Sequence, residues 1–191
     1  MKYYLLDFSM CEAKYCFVRG NFSFDTTLMR GGKEILPEMK ADGIEVLDYH
    51  IDEAEGGLVS GDYFTTTENH LTVSSRFADM VRTQYNTGRC EYLPAQVLDS
   101  KGNVIVPDMV VINPIDPIEC LDRQNSEMDN DSDDPMVQVF GKFFLLKNHI
   151  PEDLDVFRVP GLLYYIFSER LVRSINERGY TNFHFKEVLL H

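Results

Sequence analysis

Two stretches of this chain follow one pattern. Val73-Ser74-Ser75-Arg76-Phe77 leads into an apolar-periodic run, then Gly88, then Glu91-Tyr92-Leu93-Pro94-Ala95-Gln96-Val97. Phe167-Ser168-Glu169-Arg170-Leu171 does the same, followed by Gly179 and Asn182-Phe183-His184-Phe185-Lys186-Glu187-Val188. Counted from each serine, arginine falls at +2 and large apolar residues at +3 and +7. Counted from each glycine, an aromatic falls at +4 and valine at +9, and the intervening runs differ in length by three residues. Serine is a good helix N-cap, and glycine suits the left-handed turn that stops a helix. The pattern therefore predicts one helix–strand unit used twice, over 73–97 and 167–188. Ser74, Arg76, Gly88, Ser168, Arg170 and Gly179 are read as its structural signature rather than as a site.

Around these units the chain reads mainly as strands. Lys2–Asp7 alternates weakly, and Tyr15–Val18, Ile44–Tyr49 and Asp62–Thr67 are rich in β-formers. Asp99–Asn103 is a hairpin-type turn into the β-branched stretch Val104–Ile112, where Pro107 marks a bulge or a sheet edge. Met136–Leu146 reads as a strand pair or one long strand, and Asp155–Val159 as a short one. The expected class is α+β: a mixed, mostly antiparallel sheet with the two helix–strand units packed on it. The chain is taken as a single domain over 1–191. Residues 1–69 form variable N-terminal strands and loops, and 70–191 the core.

Charge narrows the partners. Thirty-one acids against 18 lysines and arginines give a net charge of −13. That balance disfavours nucleic acid and anionic membrane and steers the chain toward a basic protein surface. No apolar run approaches membrane-spanning length, and Met1–Asp7 is too short and too quickly interrupted by an acid for a signal peptide. The four cysteines lack CxxC spacing and fit reduced thiols in the cytoplasm. Five acids fall within Glu127–Asp134. Asp129–Asp134 opens like a calcium loop but lacks its central glycine, and Phe140 replaces the closing glutamate. Glu127, Asp129, Asp131, Asp133 and Asp134 are therefore read as a charged surface for a partner, not as a metal site.

Catalytic and cofactor motifs are missing. There is no GxSxG elbow, no GxGxxG or GxxxxGK loop, no HExxH and no Cys/His pair at zinc spacing. No catalytic residue, metal site or cofactor is assigned.

The closing residues carry a resemblance. Asp153–Leu162, Ile166–Leu171, Gly179 and Phe183–Val188 resemble the end of an immunity-protein family from bacterial polymorphic toxin systems. Tyr92-Leu93-Pro94, Val111–Asn113 through Asp116, Leu121-Asp122 and Ser126-Glu127 are similar to its middle. The resemblance covers roughly 70–191, and Asn182 stands where the family often has glycine. It implies a non-catalytic cytoplasmic protein that binds and neutralises a cognate toxin domain. The chain itself is expected to be a monomer or weak homodimer. A protein-interaction module without a toxin partner, or a small enzyme of unrecognised type, are the alternative readings.

Overall fold

The burial pattern of the central strands explains how the chain closes on itself. In β6 (Cys90–Leu98), Leu93, Ala95 and Val97 are buried while Pro94 between them is exposed; in β3 (Leu47–Ile51), Leu47 and Tyr49 are buried. Each strand thus has one apolar side that must be covered, and here the strands curl around it. The computed structural model describes residues 1–8, 12, 14–25, 27–52, 57, 59–128 and 141–191. Within them β2 (Phe17–Gly20), β3, β6, β7 (Val104–Pro114), β5 (Leu71–Ser74) and β4 (Tyr63–Thr66) form a closed barrel in that order. Val18, Tyr49, Phe64, Leu93, Val97 and Val111 fill its interior.

The remaining strands build a second layer. β1 (Tyr3–Leu6) lies in a four-stranded antiparallel sheet, β11 (Phe185–Glu187)–β1–β10 (Tyr165–Ser168)–β9 (Val156–Arg158). The N-terminal strand therefore pairs with the two C-terminal ones. β8 (Phe144–Leu145) and β12 (Leu189–Leu190) form a short parallel ribbon. The α+β class and the mostly antiparallel pairing expected from the sequence are observed, but the strands divide among barrel, sheet and ribbon. In the Met136–Leu146 stretch, the described part contains only the two-residue β8; residues 136–140 lie outside the described residues.

The two helix–strand units are present. α3 (Ser75–Gln84) buries Phe77, Ala78, Met80 and Val81, and α4 (Glu169–Glu177) buries Leu171, Val172, Ser174 and Ile175. Their ends differ. Gly179 adopts φ +66°, Gly179 N–H donates to Asn176 C=O and Tyr180 N–H to Ile175 C=O, closing a Schellman cap. Gly88 also has positive φ (+59°), yet α3 already stops at the extended Tyr85, so this glycine shapes the turn beyond the helix rather than its cap. A Cβ at Gly179 would meet nothing within 4 Å. Gly179→Ala is therefore expected to lower stability by about 1 kcal/mol, the cost of a left-handed alanine alone. A denaturation midpoint equal to wild type would contradict this.

Two short helices, α1 (Thr27–Arg30) and α2 (Leu36–Ala41), stand where strands and loops were expected. Their support is remote. Met29, Ile35 and Met39 enter the barrel's interior cluster, and the Glu91 carboxylate on β6 accepts the Ile35 and Leu36 N–H groups at 2.9 Å. A cap supplied from more than fifty residues away leaves no local signal.

Arg158 is the largest fully buried side chain, and no ion pair neutralises it among the described residues. It donates to Tyr165 Oη and lies 3.9 Å from that ring's centroid, while its Nε has no hydrogen-bond partner. Burial pulls its pKa below the usual arginine value. Tyr165 Oη also accepts the Leu71 N–H at 3.0 Å, so it keeps a partner without the guanidinium. Arg158→Met should thus leave stability unchanged or raise it by about 1 kcal/mol, because an uncompensated charge leaves the interior. A melting temperature several degrees below wild type would show that Arg158 is a net stabiliser.

Candidate partner-binding site

The repeated Ser-x-Arg pairs meet acids that the repeat pattern did not include. Asp62 lies just before β4, opposite Ser74, and Asp155 just before β9, opposite Ser168. Ser74 Oγ donates to Asp62 Oδ1 (2.7 Å), and Arg76 grips the carboxylate with Nε and Nη2 (2.7 and 2.6 Å). Ser168 and Arg170 hold Asp155 in the same way, with Arg170 Nε at 2.6 Å. Ser168 Oγ also accepts the Leu171 N–H as a helix cap, whereas Ser74 makes no cap bond. Ser74 does stand at the N-cap position of α3, but its hydroxyl is given to the carboxylate and not to a helix N–H.

Each clamp also ties the two units together. The segment after α4 donates Thr181 N–H and Oγ1 to Asp62 Oδ2 (3.0 and 3.1 Å), and the segment after α3 donates Asn86 N–H to Asp155 Oδ2 (2.8 Å). Arg76 lies over the Tyr180 ring and Arg170 over Tyr85. Residues at equal offsets from the two serines meet: Ser174 Oγ donates to Met80 Sδ, and Arg178 to Gln84. The units are thus related by an approximate two-fold arrangement, a hairpin and helix each, with every helix start bound to the other helix's exit. An aspartate 12–13 residues before each serine was the available signal.

The clamps have an acid sensitivity. Burial works to raise the Asp62 pKa, but the bonds from Arg76, Ser74 and Thr181 outweigh it and hold the carboxyl below its usual range. A depressed folded-state pKa adds stability that is present above the unfolded value, about 3.9, and is lost as pH falls through the lower folded value. Denaturation midpoints should therefore decline below about pH 4, and less steeply in Asp62→Asn. Equal slopes for the two proteins would refute the assignment.

The acidic segment is described only at its base. Exposed Glu127 accepts the Lys142 N–H (3.0 Å), and the Ser126 hydroxyl accepts the Phe144 N–H (3.1 Å). Asp129, Asp131, Asp133 and Asp134 lie outside the described residues. Nearby, Asp122 is held below the usual carboxylate range by Asn125 and His191 against the effect of burial. Burial pushes the Cys90 and Cys120 thiols up to about 12, which keeps them protonated and poor as nucleophiles at neutral pH. No group of three or more potential metal ligands occurs among the described residues. No helix there is long and apolar enough to cross a membrane.

The family model of the Imm11 immunity proteins matches residues 30–189, most of the chain. The chain belongs to the Imm11 immunity protein family. The match reaches back well before residue 70, into the barrel strands of the first third. No curated protein matches the chain. In this Imm11 protein the residues that carried the family resemblance, Ser168, Arg170 and Gly179 among them, serve the clamp and the helix stop. A contact with a partner has to be sought on the exposed surface.

Proposed function

We propose that this Imm11 protein neutralises a cognate toxin domain of a bacterial polymorphic toxin system by binding it in the cytoplasm, with no chemistry of its own. The family match over residues 30–189 carries this reading. The net charge of −13 supports a partner with a basic surface, for which carboxylates increase the rate of encounter. The acids Glu127, Asp129, Asp131, Asp133 and Asp134 would add to that attraction.

The test is to inspect the neighbouring genes and co-express this chain with the C-terminal domain of any large protein they encode. Growth arrest by that domain alone and rescue by this chain are the expected results. Arrest that persists in the presence of the folded chain would overturn the reading for that pair. Binding of the two purified proteins should weaken as salt is raised, and a flat response would remove the electrostatic part of the proposal.

A further inference from the structure

The outside of the barrel is covered unevenly. α3 packs over β5 and the second half of β7, where Val73, Phe77, Val81 and Ile112 share one cluster. Among the described residues β5 pairs with β7 only from Met109 to Ile112, so there Val104–Asp108 continues with one side unpaired. Register places Arg19, His50, Leu98 and Val104 in one row across β2, β3, β6 and β7. Leu47, Tyr49, Ala95 and Val97 point inward, so their neighbours Asp48, His50, Pro94 and Gln96 point out. No helix cluster includes this outer face among the described residues.

The face carries exposed aliphatic groups with carboxylates at its rim. Val46, Val104 and Ile105 are 37%, 48% and 43% exposed, three of the seven large apolar residues so placed among the described residues. Pro94 is exposed as well. Around them stand Glu45, Asp48, Asp99 and Asp108, and no described cation pairs with any of the four. Asp48 is held by the Gln96 amide (2.8 Å) and Asp99 by Asn103 (2.9 Å), neutral donors that leave the charge in place. Apolar residues inside a charged rim are the usual make-up of a protein interface. The rim's sign selects the partner. A second copy would bring the same carboxylates face to face in a chain of charge −13, whereas a basic protein surface would neutralise them.

We infer that the uncovered β3–β6–β7 face, centred on Val104 and Ile105 and rimmed by Asp48 and Asp108, is the docking surface for a basic patch of the cognate toxin domain. The inference rests on the toxin-binding reading above. Calorimetry against the toxin domain identified from the neighbouring genes tests it. Wild type is measured first: absence of both binding and protection sinks the immunity reading, and this surface with it. With wild-type binding established, Val104→Arg and Ile105→Arg should each weaken the complex by about tenfold or more. Asp48→Asn with Asp108→Asn should flatten its salt dependence. Leu189→Arg, an exposed aliphatic position on β12, should bind as wild type. Melting temperatures identify any variant that fails to fold. Folded Val104→Arg and Ile105→Arg proteins with wild-type affinity would overturn the surface. So would a dimer in sedimentation that Val104→Arg dissolves while toxin binding survives.

Discussion

Replacing Arg170 with methionine should cost about 3–5 kcal/mol, because it leaves a buried carboxylate without its counter-charge. The asymmetry of the clamp sets this size. The Asp155 side chain is 0% exposed and that of Arg170 is 51% exposed. An exposed guanidinium is easily hydrated when its partner is lost, whereas a buried carboxylate is not. Asp155 would keep Ser168 Oγ and Asn86 N–H, which compensate it only in part. Adding Asp155→Asn to Arg170→Met should therefore recover a good part of the loss by removing the charge itself. Urea denaturation of both single variants and the double variant checks this. A double variant as unstable as the sum of the singles would mean that the clamp acts through packing and not through charge.

Phe77→Ala should be comparably damaging, at about 3–5 kcal/mol. Phe77 is fully buried and sits 4.6 Å from Phe183 and 5.1 Å, edge-on, from Tyr180, counted between ring centroids. Phe183 continues to Tyr63 on the barrel and to Phe185 on the sheet, and Phe185 to Phe167. Truncation therefore opens a void where barrel, sheet and the α4 exit meet, and rigid strands on two sides limit collapse into it. Phe77→Leu should lose less than half as much, since most of the volume remains. If alanine and leucine variants unfold at the same denaturant concentration, the site relaxes and the aromatic junction is not a keystone.

Local chemistry was legible wherever it was written in adjacent residues. Ser168 and Gly179 bracket α4 as their types require, and the apolar spacing of Phe77, Met80 and Val81 names the inward face of α3. The turn at Asp99–Asn103 is closed by Asp99 accepting backbone N–H groups of Lys101 and Asn103, all within five residues. Where a partner is distant, the pattern misled. Ser74 holds the N-cap position as read, but its hydroxyl is claimed by Asp62, and α2 has no side-chain cap of its own because Glu91 provides one. Gly88 reads as a helix stop, but α3 ends earlier at Tyr85.

The sequence by itself determined the class, the two repeated units, the acidic charge and the kinship to immunity proteins, because each is carried by residue type and short-range spacing. Tertiary structure alone decided that the strands close into a barrel beside a second sheet. It alone decided that Asp62 and Asp155 bind each unit to the other, and that one barrel face stays uncovered. Those outcomes depend on which strands pair and on which distant carboxylate reaches which guanidinium. Such contacts are fixed by the burial of many groups at once, so no short segment records them.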